Sequence, residues 1–588
     1  NTTGTLNTAS GTYALHQNTT GNNNTADGVS ALQNNTTGGG NTALGRGAGV
    51  KNTTGNNNTY VGIYAGCENT TSSYNVGVGR MALCCATGAL NVGVGNRALQ
   101  KSTGSCNTAL GTSVLAQNTS GAKNTASGMY ALHDNTTASN NTASGYRALT
   151  NNTTGKCDTA LGSCAGFSNT TGSYNIFMGS RAGYSNTTGA ANTFIGKDSG
   201  YYTTTANHNT AVGNASLLVN STGTFNTASG SYALYANTTG TCNTAVGYKA
   251  LTANTTATGN TASGFYSLKC NTGQNNAAFG NRAALSNTTG INNVAVGSES
   301  LCSNTTGTQN TALGMNAVRN STTGCNNTGV GYGAGFSSTT SDYNTAVGAC
   351  SLYVNTSGAK NTAVGTFALI SSTCACVNTA VGFRALNKTT TGCANTALGN
   401  CALYCNTTGC RNVAIGAWAM QCGAGTYNVA MGYNTLAANT GNNNTALGYN
   451  AMIKNTSGNN NTAVGRDALY CNTTACHNVA VGYRALCTNS TGFKNTASGN
   501  YALQLNTTGA CNSSFGYQAL RNNTTGNHNT ASGYQSSRNT TTGLRNSTFG
   551  TRSLYNNTTG DDNIAIGHHS LYYNSTANQN VAVGGCTL

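Results

Sequence analysis

The stretch Asn24-Thr25-Ala26-Asp27-Gly28 returns seventeen residues later as Asn41-Thr42-Ala43-Leu44-Gly45, and this register runs along the whole chain. The motif starts 35 times between Asn7 and Asn580, and only at Asp158 does aspartate replace the leading asparagine. Of the 34 complete repeats, 29 have 17 residues and five have 16. The consensus is N-T-A-[V/S/L]-G-x-x-A-L-x-x-N-T-T-G-x-x, whose positions we number 1 to 17. Such periodicity indicates a repeat architecture rather than several globular domains.

A repeat of 17 residues is too short for two packed helices, and its composition also opposes helix. Glycine, asparagine and threonine are poor helix formers, whereas the Thr-rich runs suit strands. The pattern predicts an all-β fold, a parallel β-solenoid of about 35 coils in which equivalent positions stack in columns. At roughly 4.8 Å per coil, the solenoid would be on the order of 165 Å long. We interpret residues 1–588 as one continuous repeat domain that starts and ends within a repeat, without capping coils.

Positions 1 and 5 hardly vary, so they report what each coil needs locally. Because aspartate keeps the side-chain oxygen of asparagine but lacks its amide donors, the substitution at Asp158 indicates that the acceptor is required. Stacked asparagines could also bond one another along the solenoid, with an interruption at Asp158. Position 5 is always glycine, which predicts a positive φ or a close backbone approach. Representative turn residues are Asn7, Gly11, Asn24, Gly28, Asp158 and Gly162.

The apolar residues define a small core. Alanine recurs at positions 3 and 8 and leucine at position 9, which predicts that these columns face inward. Position 4 accepts Asp27 as well as apolar residues, so we expect it to face solvent or a partner chain. The missing residue of each 16-residue repeat falls in the N-T-T-G part. Length variation is typical of loops, so we interpret positions 12 to 17 as a surface turn and positions 1 to 9 as the ordered element.

Many of the 23 cysteines share a repeat position in neighbouring coils. Stacking places equivalent Cα atoms about 4.8 Å apart, within the range that a disulfide accepts. We therefore predict disulfides between rungs and an oxidising, extracellular setting. Metal binding is the alternative, but no Cys-x-x-Cys pair has partners at zinc-finger spacing. The candidates are Cys67 with Cys84, Cys376 with Cys393 and Cys410, Cys405 with Cys422, and Cys471 with Cys487.

Position 12 carries a recurring Asn-x-Ser/Thr sequence, the acceptor signal for N-linked glycans. One such sequon arises easily in a chain rich in Asn and Thr, but recurrence at one position of an exposed turn favours a column of glycans. The candidate acceptors are Asn18, Asn35, Asn52, Asn69, Asn135, Asn152, Asn169, Asn186, Asn237, Asn254, Asn287, Asn304, Asn406, Asn472 and Asn506.

Charge is sparse, with 26 basic and 10 acidic residues giving a net charge of +16. We interpret the basic residues as a solvated stripe that aids solubility, with binding to an acidic polysaccharide or a membrane surface as the alternative. No basic cluster with interleaved aromatics appears along the chain, so we expect no nucleic-acid partner. No apolar run approaches the roughly 18 residues of a membrane-spanning helix.

Residues that could carry catalysis are scattered. The seven histidines have no recurring acidic or nucleophilic neighbour, and no carboxylate pair recurs that could serve a glycosidase. Asp561 and Asp562 near His568 and His569 form the one local cluster of ionisable groups, which we interpret as polar surface. We therefore predict no catalytic residue, no cofactor and no metal site.

The repeats Asn478-Val-Ala-Val-Gly-Tyr-Arg-Ala-Leu and Asn444-Thr-Ala-Leu-Gly-Tyr-Asn-Ala resemble those of Asn/Thr/Gly-rich proteins of the tail-fibre-domain or adhesin-like type. This resemblance covers essentially the whole chain. A more distant resemblance is to the head repeats of trimeric autotransporter adhesins, which build left-handed parallel β-rolls. Those repeats are shorter, so the resemblance leaves the number of chains in the assembly open.

These observations predict a structural protein rather than an enzyme. Our leading hypothesis is a subunit of an extracellular filament or fibre at a cell or virion surface, whose partners are copies of itself, joined head to tail or laterally. One alternative is the shaft of an adhesin or of a viral tail fibre that presents a tip outside this chain. Another is an ice-binding solenoid, because flat threonine arrays can order water.

Overall fold

The computed structural model of the protein describes residues 2–587 and divides into two compact units, Asn1–Asn293 and Val294–Leu588. Each unit is a parallel β-solenoid with one three-residue strand per coil, at repeat positions 2 to 4. Within residues 2–587 there is no α-helix, and hence none that is long and apolar enough to cross a membrane. The predicted all-β solenoid with 17 residues per coil is confirmed.

The described residues contain 17 strands in the first unit and 18 in the second. The first unit contains β1 (Thr8–Ser10), β2 (Thr25–Asp27), β3 (Thr42–Leu44), β4 (Thr59–Val61), β5 (Val76–Val78), β6 (Val92–Val94), β7 (Thr108–Leu110), β8 (Thr125–Ser127), β9 (Thr142–Ser144), β10 (Thr159–Leu161), β11 (Ile176–Met178), β12 (Thr193–Ile195), β13 (Thr210–Val212), β14 (Thr227–Ser229), β15 (Thr244–Val246), β16 (Thr261–Ser263) and β17 (Ala277–Phe279). The second unit contains β18 (Val294–Val296), β19 (Thr311–Leu313), β20 (Thr328–Val330), β21 (Thr345–Val347), β22 (Thr362–Val364), β23 (Thr379–Val381), β24 (Thr396–Leu398), β25 (Val413–Ile415), β26 (Val429–Met431), β27 (Thr445–Leu447), β28 (Thr462–Val464), β29 (Val479–Val481), β30 (Thr496–Ser498), β31 (Ser513–Phe515), β32 (Thr530–Ser532), β33 (Ser547–Phe549), β34 (Ile564–Ile566) and β35 (Val581–Val583).

Successive strands of a unit pair in parallel with equivalent repeat positions opposite each other. Thr244 of β15 lies opposite Thr261 of β16, for example. In the 16-residue repeats the register is unchanged, because Val76 of β5 still pairs with Val92 of β6. The deletion is therefore absorbed outside the strand, as the sequence predicted.

Every coil bends through residues with left-handed backbone geometry. The glycine at position 5 has the positive φ that was expected, 132° at Gly230. Positions 7 and 9 are also left-handed although most coils carry residues other than glycine there, with φ of 58° at Tyr232 and 49° at Leu234. As a result, the backbone N–H groups of positions 7 and 9 point toward opposite neighbouring coils. Tyr232 N–H donates to the preceding coil at 3.0 Å, whereas Leu234 N–H donates to the following coil at 3.0 Å. These bonds offset a conformation that costs about 1–2 kcal/mol per residue.

The core is a narrow column of small side chains. Ala463, Ala468 and Leu469, at positions 3, 8 and 9, are fully buried, and the same positions are buried in the coils between the first and the last. Position 4 points outward, as expected, so that Asp27 and Leu313 are exposed. With so little apolar area per coil, stability must come from the coupling of many neighbours.

Three large aromatic side chains interrupt the alanine column at position 3, and glycine compensates for each of them at position 9. Tyr60, Phe177 and Phe194 are fully buried. A Cβ added at Gly200 would lie 2.5 Å from the Phe194 ring, and one at Gly183 would lie 2.3 Å from the Phe177 ring. Because leucine normally fills position 9, the aromatic ring takes the volume that leucine has vacated.

This exchange predicts a double-mutant rescue. Phe194→Ala should destabilise the coils around it by about 3 kcal/mol, because it leaves a cavity that position 9 does not fill. Adding Gly200→Leu should recover most of that loss, since leucines at this position hold the same φ as Gly200. Native-state hydrogen exchange of residues 175–226 measures the local free energy of opening. The Gly200→Leu single variant should be destabilised, and additivity of the two single changes would contradict the compensation.

Candidate functional site

A column of asparagines at position 1 links the coils. The Asn24 side-chain oxygen accepts the backbone N–H of Asn41 at 2.9 Å. The Nδ2 of Asn24 donates to the Gly38 carbonyl at 2.9 Å and to Oδ1 of Asn7 at 3.1 Å. The side chain therefore satisfies a backbone donor of the next coil and a carbonyl of its own coil, which is why its identity varies so little.

Asp158 keeps the acceptor half of this pattern. Its Oδ1 accepts the Asn175 N–H at 2.7 Å, and its own N–H donates to Asn141 Oδ1 at 2.8 Å. Its Oδ2 accepts from Nδ2 of Asn169 at 3.2 Å. Burial raises the pKa of the Asp158 carboxyl to about 7, although the hydrogen bonds from Asn175 and Asn169 favour the charged form. Asp158 is therefore a buried carboxyl whose hydrogen-bond partners are all neutral.

Position 12 forms a second asparagine column, whose side chains are buried although positions 14 and 17 of the same turn are largely exposed, so the predicted exposure of the position 12 asparagines is wrong. Asn35 Nδ2 donates to Asn18 Oδ1 at 2.8 Å and to the Gly38 carbonyl at 2.9 Å. A glycan on Nδ2 would replace one of its donors and require space that the neighbouring coils fill. This burial applies to all the proposed acceptors, Asn18, Asn35, Asn52, Asn69, Asn135, Asn152, Asn169, Asn186, Asn237, Asn254, Asn287, Asn304, Asn406, Asn472 and Asn506.

We expect these asparagines to stay unmodified in protein secreted by a eukaryotic host and recovered in the folded state. Peptide mapping should find the Asn35 and Asn237 peptides at their unglycosylated mass, because both side chains are fully buried. The Asn574-Ser575-Thr576 sequon lies on the less buried coil of β34 and serves as the internal comparison. Glycan on Asn35 in folded material would contradict the burial argument.

The cysteine columns bring sulfur atoms close together. The Sγ atoms of Cys67 and Cys84 are 2.7 Å apart, and those of Cys376 and Cys393 are 2.9 Å apart. Cys405 and Cys422 have Sγ atoms 3.5 Å apart. All 23 cysteines are free thiols in the structure, since these separations exceed the S–S bond length of about 2.05 Å. The predicted disulfides therefore remain a prediction, for the remaining candidates Cys410, Cys471 and Cys487 as well.

Basic and aromatic side chains gather at positions 6, 7, 10 and 11, which we call the basic–aromatic face. These positions hold 20 of the 26 basic residues but only five of the ten acidic ones, and hence nearly all the net positive charge. In the first unit, the Arg147 guanidinium lies 5.4 Å from the ring centre of Tyr146 and 5.8 Å from that of Phe167. In the second unit, Arg466 lies over Tyr449 and Tyr483 in the same way.

The aromatic rings of this face stack on one another along the solenoid. The Tyr184 ring lies 5.1 Å from Phe167 and 5.0 Å from Tyr201, with interplanar angles of 12° and 3°. The sequence interpretation missed this arrangement because the residues are a full repeat apart in the chain. Basic and aromatic side chains are interleaved, contrary to the expectation from the linear sequence, and repeat phase was the signal that could have found them.

Three arginines in the last coils of the second unit concentrate positive charge. Arg521 Nε donates to Gln504 Oε1 at 2.9 Å, Arg538 Nε to Gln518 Oε1 at 2.9 Å, and Arg552 Nε to Gln535 Oε1 at 3.0 Å. Glutamine orients each guanidinium without neutralising it. The result is a row of partly exposed positive charges, which is suited to an extended anionic ligand.

One group of metal-ligating side chains is present among the described residues, formed by His568, His569 and Cys586, whose donor atoms all lie within 4.8 Å of one another. The sequence groups Asp561 and Asp562 with these histidines, but in the structure both carboxylates have other partners. Asp562 forms a two-point ion pair with Arg545 at 2.6 and 2.8 Å, and Asp561 accepts the Leu544 N–H at 2.7 Å.

The missed member of the group is Cys586. His569 and Cys586 both occupy position 7, in adjacent coils, so the repeat phase predicts that they stack. The pKa of His569 is lowered by partial burial and by the nearby His568 and Arg552, which favours the neutral imidazole.

No protein-family model matches the chain, and no curated protein resembles it at a significant level. What the molecule can do must therefore be inferred from its own geometry.

Proposed function

We propose that this β-solenoid is a structural scaffold, a subunit of an extracellular filament that assembles by stacking coils of one copy on coils of another. Support comes from the translational symmetry of the contacts between coils. Thr244 N–H donates to the carbonyl of Asn260 at 2.8 Å, and one coil later Thr261 N–H donates to Asn276 at 2.8 Å. Each coil thus has backbone N–H donors on one side and, on its other side, the carbonyls that could accept the same donors from another copy.

A surface that is complementary to the opposite side of the same repeat makes head-to-tail contacts that do not close into a ring. Such heterologous contacts generate filaments. The side-chain columns extend the same complementarity, because Asn41 N–H bonds to Asn24 Oδ1 and Asn35 Nδ2 to Asn18 Oδ1. An unpaired coil edge is also an open strand edge, which favours addition of another chain.

The test is assembly of the purified chain. Fibres seen by electron microscopy should give an axial reflection near 4.8 Å. Val581→Pro should suppress assembly, because the equivalent N–H at Val479 donates to the next coil at 2.8 Å and proline has no N–H. Val583→Thr, in the same strand, should leave assembly unchanged. A chain that stays monomeric at high concentration under varied salt would overturn the proposal.

We infer that the cysteine columns form disulfide cross-links between neighbouring coils when the protein reaches an oxidising compartment. Cys67 with Cys84 and Cys376 with Cys393 are the pairs with the shortest sulfur separations. Mass spectrometry of non-reduced peptides after mild oxidation should recover these two pairs first.

A second function is favoured by the basic–aromatic face, namely binding of an acidic polysaccharide along the solenoid. Where the rings stack at 5.0 Å, their faces are covered by neighbouring rings and only their edges meet solvent. Stacking of nucleic-acid bases requires free ring faces. Guanidinium groups and tyrosine hydroxyls remain available, and they recognise carboxylate or sulfate groups.

The measurement is binding to heparin at low salt, with single-stranded DNA as the competitor. Replacing Arg521, Arg538 and Arg552 with glutamine should weaken heparin binding at least about tenfold, a loss of roughly 1.4 kcal/mol. The matched control replaces Lys123, Lys360 and Lys494, which lie at position 17, and should change binding by less than about twofold. Equal losses in both variants, or DNA that displaces heparin, would contradict a glycan site on this face.

A further inference from the structure

We propose that His568, His569 and Cys586 form a zinc site on the surface of the second unit. Two imidazoles and one thiolate are a donor set that zinc prefers. Their donor atoms already lie within 4.8 Å of one another. The site lies on the basic–aromatic face, where His569 and Cys586 continue the position 7 column of Arg552, but its three ligands come from one chain and include none of the arginines.

The backbone fixes the three residues close together. Cys586 N–H donates to the carbonyl of His568 at 2.7 Å, which ties the coil of the cysteine to that of the histidines. His569 and Cys586 both have the left-handed conformation of position 7, with φ of 55°. Repeat stacking, rather than a loop, therefore aligns the imidazole and the thiol.

The imidazoles of His568 and His569 are stacked, with ring centres 3.9 Å apart and an interplanar angle of 17°, so at least one ring must turn about its side-chain bonds before both nitrogens point at one ion. With Zn–N near 2.0 Å and Zn–S near 2.3 Å, donors in a tetrahedral site lie roughly 3.3–3.5 Å apart. His568 and Cys586 are exposed and His569 is half-buried, so rotation about side-chain bonds can close the remaining distance. Asp561 and Asp562 do not compete with these donors for the zinc ion. Asp562 is paired with Arg545, and Asp561 accepts the Leu544 N–H.

Three protein ligands leave one zinc position open. An open cleft of about 380 Å³, lined by His569, Tyr572, Tyr573 and Cys586, adjoins the donors. A water molecule or an anionic group of a partner is the fourth ligand that fits such a cleft. The arrangement differs from a closed structural site, in which the protein supplies all four donors.

Cobalt(II) is the spectroscopic probe, used with the full chain kept reduced by a phosphine. Wild type should bind one more equivalent of cobalt than the His568→Asn/His569→Asn variant, with a thiolate charge-transfer band that zinc abolishes on displacement. Cys586→Ser should lose the same band. His477→Asn/His528→Asn, which removes two histidines outside the group, should match wild type in both stoichiometry and spectrum.

The other cysteines supply a background that the histidine variant leaves intact, so the difference between variants reports this site alone. The affinity for the one additional zinc ion that wild type binds should fall at least about tenfold in each site variant. Circular dichroism of the metal-free variants should equal that of wild type, because the substituted side chains lie at the surface. Equal cobalt stoichiometry in wild type and the double histidine variant would overturn the proposal, as would a spectrum of Cys586→Ser that keeps the part of the charge-transfer band lost in the histidine variant.

Discussion

Replacing Gly247 with alanine is expected to destabilise the surrounding coils by roughly 4 kcal/mol or more. The backbone of Gly247 has φ of 126°, a conformation that residues with a Cβ rarely adopt. The new Cβ would also lie 2.6 Å from the carbonyl oxygen of Gly264 in the next coil. Relief requires these two coils to separate, which breaks bonds such as that from Gly264 N–H to the Val246 carbonyl at 2.8 Å.

Hydrogen exchange of residues 226–276 and the thermal midpoint would measure this loss. The matched control is Gly240→Ala, at position 15 of the preceding coil. An added Cβ at Gly240 would also approach a carbonyl oxygen, that of Ala257 at 2.5 Å, but position 15 has an ordinary φ and accepts alanine one coil later at Ala257. Gly240→Ala should therefore cost less than Gly247→Ala, and the difference reports the backbone conformation. If the two variants were equally stable, the invariance of position 5 would need a cause other than backbone conformation.

Replacing Asp158 with asparagine is expected to stabilise the protein at neutral pH and to remove a pH dependence. The pKa of Asp158 is raised from 3.8 to about 7 by burial, so the folded state holds a proton that the unfolded chain releases. The contribution to stability is therefore greatest below about pH 4 and is lost progressively as pH rises to about 7. The shift corresponds to about 4 kcal/mol at and above neutrality. Asparagine also restores the donor that Asn175 directs to the Gly189 carbonyl at 2.9 Å.

Denaturation of wild type and variant between pH 4 and pH 8 measures the difference in their free energies of unfolding. The titration of the other carboxyls cancels in this difference. The free-energy gap should be small at pH 4 and largest above pH 7. Asp27→Asn, at an exposed position 4, should leave the free energy of unfolding unchanged throughout this range. A gap that narrows as pH rises would mean that Asp158 is ionised and well paired in the folded state.

These two residues show how far the sequence alone reaches. Constancy of glycine at position 5 predicted its backbone conformation, and the single aspartate at position 1 pointed to the acceptor role that Asp158 fulfils towards Asn175 N–H at 2.7 Å. Both inferences use columns, and a column of 35 equivalent residues samples one local environment many times. The same logic assigned the leucine core at position 9 and the exposed position 4.

Position 12 marks where that logic fails. Repeated Asn-Thr-Thr reads as a hydrophilic turn, yet Asn35 is fully buried, because its amide pairs with Asn18 and with the Gly38 carbonyl. Polar composition does not reveal burial when a polar side chain finds its partners in the adjacent coil. The left-handed leucines, such as Leu234 with φ of 49°, gave no sequence signal, because leucine seldom adopts that conformation.

The repeat by itself determined that the chain is a parallel solenoid, which residues share a column and which columns form the core. Only the tertiary structure decided which columns face one another across a coil and which way each side chain points. That step buried the position 12 column, in which Asn35 donates to Asn18 Oδ1 and to the Gly38 carbonyl. The physical reason is that periodicity fixes the stacking along the axis, whereas the bends at positions 5, 7, 9 and 17 fix the path within a coil.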